Sequence, residues 1–305
     1  MKYHVPISKK VCEVYYNNIK FIMPCSYSTL DKHNNKFNYD ISEVKFSKDI
    51  SLPFIDLYSS IGGLNILLNI NGNYSRFDEY ICQHAICKWS QIINSMHNIK
   101  LNISFLELEK NVLGSAGPTH FKNVNDKWFV TEGVVNLNTL YWEKEKQLLK
   151  YDNKTSAFYT LLHEIGHVLG IGTLWLDHNL LSNGPYYNDK QYWNSDYTNA
   201  LYIGENGLRE YKEHLLLKTD IPEHLILGIP VEDNGGTGTK GGHIEEGDMN
   251  HEDRYYHGIK HMGLDNELMT GYSENSPEPE PLSRITIGML EDLGYDVNYK
   301  KADLF

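Results

Sequence analysis

The chain has 305 residues, enough for one large domain or two, and a formal net charge of −12 at pH 7. This charge argues against a nucleic-acid partner, which requires a basic surface. The sequence has no run of about 18 apolar residues, so it predicts no transmembrane helix. Its first residues lack the apolar core of a secretory signal, and we therefore expect a soluble protein that is cytoplasmic as encoded.

The first half of the chain predicts strands interrupted by one long helix. Residues 1–55 are rich in Asn, Lys and Tyr and predict an N-terminal extension of short strands and loops. A compact apolar strand is predicted at 64–70, an amphipathic helix at 76–93, and further strands at 101–108 and 128–137. Between these last two strands, Gly-Ser-Ala-Gly-Pro-Thr at 114–119 predicts a turn-rich loop.

The second half predicts helices separated by long polar loops. A helix is expected to begin at Thr155 or Ser156, either of which can cap its N-terminus. Another helix is predicted at 199–217, and a final one begins after Ser283 and ends before Gly294. Strands and helices come first and a largely irregular and helical part follows. This order predicts an α+β fold in two lobes around a cleft.

The helix after Thr155 contains the most informative motif, His163-Glu164-x-x-His167. Residues one turn apart lie on the same face of an α-helix, so both imidazoles can reach one metal ion. Glu164 lies beside them and can take a proton from water, which is the chemistry of zinc peptidases. The alternative is a buried helix whose histidines are only hydrogen-bonded members of the core.

A catalytic zinc site needs a third protein ligand. The compact metzincin pattern would place a histidine where this chain has Thr173. One alternative is a glutamate on the following helix, at Glu205, Glu210 or Glu213. The other is a distant histidine upstream of the Met-containing turn Glu-Leu-Met-Thr-Gly at 267–271, which the sequence favours. The histidines in that position are His243, His251, His257 and His261.

Several further stretches carry a family resemblance. They read Leu-Gly-Ser-Ala-Gly-Pro-Thr at 113–119, His-Glu-Ile-Gly-His-Val-Leu-Gly-Ile-Gly-Thr-Leu-Trp at 163–175, Tyr-Ile-Gly-Glu-Asn at 202–206, Pro-Val-Glu-Asp-Asn-Gly-Gly-Thr-Gly-Thr-Lys-Gly-Gly-His at 230–243, Asn-Glu-Leu-Met-Thr-Gly-Tyr at 266–272, Pro-Leu-Ser-Arg-Ile-Thr-Ile at 281–287 and Asp-Leu-Gly-Tyr at 292–295. The chain resembles the leishmanolysin-type metzincins, in which an insertion separates the second and third zinc histidines. The resemblance runs from about residue 60 to the C-terminus and leaves residues 1–55 outside.

The resemblance implies a zinc-dependent endopeptidase that hydrolyses protein or peptide substrates with zinc-activated water. Carried over residue by residue, it makes His163, His167 and His243 the Zn²⁺ ligands, Glu164 the general base and Met269 the methionine beneath the site. It also implies a metzincin-like two-lobed catalytic domain. The N-terminal lobe, 56–180, would hold a mixed sheet and the zinc helix, and the C-terminal lobe, 181–305, would be largely irregular and helical.

Some assignments remain open at this level. His257 or His261 could replace His243 as third ligand, because both lie nearer to Met269 in the sequence. By resemblance the strand at 130–137 would form the cleft rim and pair with an extended substrate, although it could equally be an ordinary sheet member. Two alternative functions also remain, a zinc-binding structural protein without activity and a zinc amidase acting on non-peptide substrates.

Three minor expectations concern residues around this site. Tyr272 is expected to pack beside its turn rather than to stabilise the oxyanion in the cleft. The acidic run after His243 is expected to be a solvated loop, with calcium binding as the alternative. The four cysteines are expected to be free thiols, with zinc capping by Cys12 or Cys25 as the alternative. The acidic run consists of Glu245, Glu246, Asp248, Glu252 and Asp253.

Overall fold

The computed structural model describes residues 63–124, 127–182, 200–233, 238–246, 263–274 and 277–305. It also describes the backbone of five short strand segments outside these ranges. Three of these segments lie near the N-terminus, β1 (Val11–Tyr16), β2 (Ile19–Pro24) and β3 (Tyr39–Asp40), and pair in the order β2-β1-β3. The strands predicted within 1–55 therefore have counterparts in the backbone.

A four-stranded mixed sheet forms the centre of the molecule. Its strands and the first helix follow one another as β4 (Leu64–Asn71), α1 (Arg76–Ile92), β5 (His97–Leu106), β6 (Gly114–Val124) and β7 (Lys127–Asn138). The order across the sheet is β4-β5-β7-β6, with β6 antiparallel to β7 and the other neighbours parallel. Alternate residues of β4 and β5 are buried, as expected for strands with one face on the core.

One expectation about this sheet was wrong, and one alternative that had been left open is decided. Residues 114–119 are not a loop but the beginning of β6, an edge strand of the sheet. An edge position tolerates Pro118, which has no N–H to donate, and the pairing with β7 is shifted between Pro118 and His120. The strand at 130–137 is not the rim either, because β7 has neighbours on both sides and its backbone is already paired.

Helix α3 (Ser156–Leu169) carries the motif and follows the short helix α2 (Thr139–Glu145). Thr155 caps α3 by accepting a hydrogen bond from the backbone N–H of Phe158, as its sequence predicted. The helix is almost wholly buried and packs against α1, β6 and β7. Gly170 ends it with φ at 111°, in the left-handed region that glycine adopts without strain. The motif is thus fixed between the sheet and α1.

The rest of the chain contains short strands and two helices. They are β8 (Leu181–Ser182), β9 (Leu201–Tyr202), α4 (Glu205–Lys218), β10 (Ile229–Pro230), β11 (Arg254–Tyr256), β12 (Ile259–His261) and α5 (Arg284–Asp292), with short 3-10 helices at Glu223–Leu225 and Tyr299–Lys301. Helix α4 begins later than the predicted residue 199, because Leu201 and Tyr202 pair with strands on both sides. Helix α5 is capped by Ser283 as predicted, and α4 packs against it.

The buried apolar residues form one contiguous core. It runs from Leu64 in β4 to Tyr295 after α5, and the largest fully buried side chains include Trp89 and Trp175. The fold is therefore of mixed α and β type with a mixed sheet, in agreement with the predicted α+β class. None of the helices in the described ranges is long and apolar enough to cross a membrane.

Candidate metal centre

Three histidine rings meet at one point beside α3. The Nε2 atoms of His163 and His167 are 2.9 Å apart, and those of His167 and His243 are 3.0 Å apart. The third pair, His163 and His243, has an Nε2–Nε2 distance of 3.2 Å. The structure thus brings together the three residues predicted as ligands, although His243 lies 76 positions after His167 in the chain.

The other ring nitrogen of each histidine fixes its tautomer. The Nδ1–H groups of His163, His167 and His243 donate to the carbonyl oxygens of Leu268 (2.7 Å), Ile171 (2.9 Å) and Thr239 (2.8 Å). A carbonyl oxygen can only accept, so each Nδ1 carries the proton and each Nε2 presents its lone pair. Burial also lowers the pKa of all three imidazoles, that of His243 to about 3, which keeps the rings neutral.

This arrangement suits a zinc ion. Three lone pairs that face one another at 2.9–3.2 Å repel unless a cation lies between them. Tetrahedral zinc with Zn–N distances of about 2.0–2.1 Å would hold its nitrogen ligands about 3.3 Å apart, close to the distances found here. Neutral imidazoles supported by backbone carbonyls are the usual ligand state in such sites.

A close backbone contact between Gly172 and Gly242 brings His243 to α3. After α3 the chain turns at Gly172, where φ is 75°, and passes directly over Gly242, the residue before His243. A Cβ atom at Gly172 would lie 1.9 Å from the carbonyl oxygen of Gly242. Thr173, at the position of the usual third ligand, instead donates its hydroxyl to the carbonyl of His167 at 2.7 Å. The residues that follow α3 therefore help to hold His243 in place, although none of them is itself the third ligand.

Met269 is completely buried against the motif helix α3. Its sulfur lies against Gly166, where a Cβ atom would be 2.7 Å from Sδ. The buried carboxylate of Glu267 holds the turn by accepting from the N–H of Met269 at 2.6 Å and from the hydroxyl of Ser283 at 2.6 Å. Sequence analysis missed this role of Glu267, because its partners on α5 are brought near only by the fold.

Glu164 lies beside the histidines in a cleft of about 550 Å³. A Cβ atom at Gly114 would lie 2.5 Å from its Oε1, so the first residue of β6 leaves the space that the side chain occupies. Its Oε2 is buried and has no hydrogen-bond partner among the described residues. Burial, with a smaller contribution from Glu145, raises the pKa of Glu164 to about 8. Glu164 thus lines the cleft and has one buried carboxylate oxygen that is unpaired among the described residues.

The glutamates weighed as third ligand lie elsewhere. Glu205 and Glu213 are exposed on α4. Glu210 is buried, but its Oε2 accepts from Nε of Arg284 at 2.6 Å and its Oε1 from Arg209. Among the histidines left open, His251 and His257 lie outside the described residues, and for His261 only the backbone in β12 is described.

The minor expectations have mixed outcomes. Tyr272 is 51% exposed and lines the cleft, so the prediction that it packs beside its turn was wrong. Glu245 and Glu246 fall in two separate groups of carboxylates, each able to offer oxygens within 4.8 Å of one another. Asp248, Glu252 and Asp253 lie outside the described residues.

The cysteines that are described are free thiols. Cys82 and Cys87 are buried without a disulfide partner, and burial raises the pKa of both thiols, that of Cys87 to about 11. Such thiols are unreactive at neutral pH. Cys12 is described only as backbone in β1, and Cys25 lies outside the described residues, so zinc capping by either stays an untested alternative.

No protein-family model matches the chain, and no curated protein matches it. The site is therefore defined by its own residues: a neutral histidine cluster, a buried glutamate beside it and an open cleft above them.

Proposed function

We propose that the protein is a zinc-dependent endopeptidase of the leishmanolysin-like metzincin type. The observation that carries this proposal is the meeting of three neutral Nε2 atoms beside a carboxylate that has one oxygen without a hydrogen-bond partner among the described residues. A metal site used only for structure has no need of a general base or of a cleft. Here Glu164 lies on α3 between the two helix histidines, and a cleft adjoins all three histidines.

The two-lobed organisation of a metzincin is part of the proposal. One lobe would consist of the four-stranded sheet with α1 and α3, and the other of the chain that carries His243, Met269 and α5. The cleft has lining residues from both parts, with Gly114 and Ser115 on β6 and with Thr239 and Tyr272 on the later loops. The two-lobed organisation is supported by a cleft whose lining residues come from both the earlier and the later part of the chain.

His163, His167 and His243 would hold the zinc ion. When bound, zinc lowers the pKa of water and polarises a carbonyl group. With a cation beside it to offset the effect of burial on its pKa, the Glu164 carboxylate would accept the proton of the attacking water and then return it to the leaving amine. The three backbone carbonyls that accept from the Nδ1 groups keep the imidazoles oriented throughout.

The edge of β6 is the proposed place for an extended substrate. Gly114, Ser115 and Ala116 line the cleft, and β6 has a paired neighbour on one side only within the described sheet. An extended peptide can add to such an edge through main-chain hydrogen bonds. Tyr272 lies in the same cleft, half-exposed, where its hydroxyl can reach a bound carbonyl group.

The test combines metal analysis with peptide cleavage. The purified protein is expected to hold one zinc ion and to cleave a quenched-fluorescent peptide library. A chelator should abolish cleavage and added Zn²⁺ should restore it. The variant Glu164→Gln should keep the zinc and lose about 10²–10⁴-fold in kcat, the usual contribution of a general base.

Two results would favour the alternative functions. A protein that holds zinc but cleaves no peptide would be the structural protein without activity. Cleavage of simple acyl amides with no cleavage of peptides would identify the zinc amidase. The Glu164→Gln variant separates these two as well, because only the amidase would lose activity on its substrate.

A further inference from the structure

Glu280 is a carboxylate in the cleft that the proposed mechanism does not use. It follows the Pro-rich loop before α5, lines the cleft and is only 5% exposed. It lies close enough to His163 to affect the pKa of that imidazole. Thr160, one turn before Glu164 on α3, lines the same part of the cleft. A buried carboxylate in this position adjoins the residues that would carry out hydrolysis.

The two oxygens of Glu280 have different surroundings. Oε1 accepts from Nζ of Lys150 at 3.0 Å, from the hydroxyl of Ser273 at 2.9 Å and from the N–H of Glu274 at 3.2 Å. Oε2 has no donor among the described residues. Lys150 is itself fully buried and also donates to the carbonyl of Glu274 at 2.8 Å. The carboxylate of this cleft-lining residue is therefore fixed through Oε1, and Oε2 keeps its capacity to accept a further hydrogen bond.

The charges around this end of the cleft are mainly negative. The carboxylates of Glu246, Asp265 and Glu274 can approach within 4.8 Å of one another, and mutual repulsion adds to burial in raising the pKa of Glu246 and Glu274. Lys150 donates to Oε1 of Glu280 and to the carbonyl oxygen of Glu274. Lys240 is the one Lys or Arg among the described residues that line the cleft, and it lies on the opposite loop, beside Thr239.

We propose that Oε2 of Glu280 forms a subsite for a cationic side chain, Lys or Arg, of the substrate residue adjoining the cleaved bond. The inference rests on the proposed peptidase function and specifies its substrate class. A charge-assisted hydrogen bond to a fixed, buried carboxylate is stronger than one between neutral groups. A neutral substrate side chain that filled this part of the cleft would leave Oε2 without a partner.

The first experiment needs only the unmodified protein. Peptides that differ at the residue adjoining the cleaved bond are compared, with Lys, its neutral analogue norleucine, or Glu at that position. We expect kcat/KM to be about tenfold or more higher for Lys than for norleucine, the size expected for one charge-assisted hydrogen bond, and lowest for Glu. Equal values for Lys and norleucine would overturn the inference. Failure to cleave any peptide would overturn the proposed function instead.

The second experiment assigns the preference to Glu280. Glu280→Gln should bring the Lys-to-norleucine ratio of kcat/KM close to one. The matched control is Glu278→Gln, an equal charge change at an exposed residue of the same loop that does not line the cleft. It should leave the ratio unchanged. An unchanged ratio in Glu280→Gln would show that the preference has another origin.

Glu280→Gln leaves the buried Lys150 without a carboxylate, so the variant can lose stability. The double variant Lys150→Met with Glu280→Gln removes both charges and avoids this problem. It should also give a ratio close to one, measured on protein that retains zinc and a native near-UV circular dichroism spectrum. A ratio that stays at the unmodified value in the double variant would overturn the inference.

Discussion

His163 and His167 lie on one helix, whereas His243 lies on a loop that reaches the helix from a distant part of the chain. On α3, the spacing of the residues and burial against the sheet fix both rings. At His243, the ring depends on its bond to Thr239, on the passage of Gly172 over Gly242 and on a backbone bond from Ile244 to Met269 at 3.0 Å. The helix side is set mainly by local spacing, with the bond from His163 to Leu268 as a tertiary contact, and the loop side is assembled mainly by tertiary contacts.

This difference predicts which substitutions would disturb the metal centre. The helix side depends on a cap and a terminal glycine that act within a few residues, on an apolar face packed against the sheet, and on one bond from His163 to Leu268. The loop side depends on close backbone approaches, which a single methyl group can block. We therefore expect substitutions far from the metal ligands in sequence to disturb His243 more than they disturb His163 or His167.

The largest expected effect comes from removing a ligand on either side. His167→Ala and His243→Ala should both lower zinc affinity by more than about 100-fold, beyond the usual loss from removing a supporting hydrogen-bond partner. Zinc content after equilibrium dialysis measures this. His257→Ala and His261→Ala serve as controls and should retain zinc. If one of these controls lost the metal and His243→Ala kept it, the loop side would be wrongly assigned.

Gly172→Ala should produce the next largest effect, on the loop side alone. The new Cβ would meet the carbonyl of Gly242 at 1.9 Å and the residue would keep a φ of 75°. We expect a loss of about 3 kcal/mol in the free energy of unfolding, from strain and displaced backbone, together with weaker zinc binding. Urea unfolding with and without zinc measures both quantities.

Gly72→Ala is the matched control for this variant. Gly72 has a φ of 95°, but no atom lies within 4 Å of its added Cβ. It should lose only about 1 kcal/mol, the contribution of the strained backbone, and bind zinc normally. If both variants lost the same free energy of unfolding and the same zinc affinity, the contact between Gly172 and Gly242 would not be what holds His243.

The same division explains which parts of the fold were predictable. Helix α3 and its beginning follow from signals within a few residues, and the structure confirms Thr155 as the cap, one of the two residues predicted for it. Strand β6 was taken for a loop because Gly114, Gly117 and Pro118 indicate turns in isolation. Its pairing with β7 is a contact between strands, and only an edge position with a shifted register makes Pro118 acceptable.

The candidate site shows the same limit. The roles of Gly114, Gly172 and Glu280 depend on which backbone or side chain lies opposite, and no local pattern records this. Glu267 illustrates the point, because Ser283 and Thr286 reach its carboxylate from the beginning of α5. His243 could be proposed only through the family resemblance, since four histidines precede the Met269 turn in the sequence.

Gly114→Ala is expected to disturb Glu164, on the helix side of the centre, while leaving zinc binding unchanged. The added methyl group would meet Oε1 of Glu164 at 2.5 Å and displace the carboxylate. A displacement of about 1 Å at a catalytic group can cost about 100-fold in rate, so kcat should fall by roughly that factor while zinc content stays unchanged. The control is Gly117→Ala on the same strand, where the nearest atom would be 3.9 Å away. Equal losses of activity in both variants would contradict this role of Gly114.

The smallest expected effect is at Thr173, which joins the two sides. Thr173→Val keeps the shape of the side chain but removes its hydroxyl bond to the carbonyl of His167, and should lower the free energy of unfolding by about 1 kcal/mol. Thr219→Val is the matched control, because Thr219 makes the same type of bond to Leu215 at the end of α4. Both variants should lose similar stability in urea unfolding, since the same bond is removed.

Only Thr173→Val should also weaken zinc binding, by a few-fold at most, because the chain it anchors runs from His167 to the contact of Gly172 with Gly242. The measurement is a competition titration with a zinc-binding dye. If the zinc affinities of the two variants were equal, the residues that follow α3 would not influence the position of His243. The helix and the loop would then form the centre independently, each held by its own contacts.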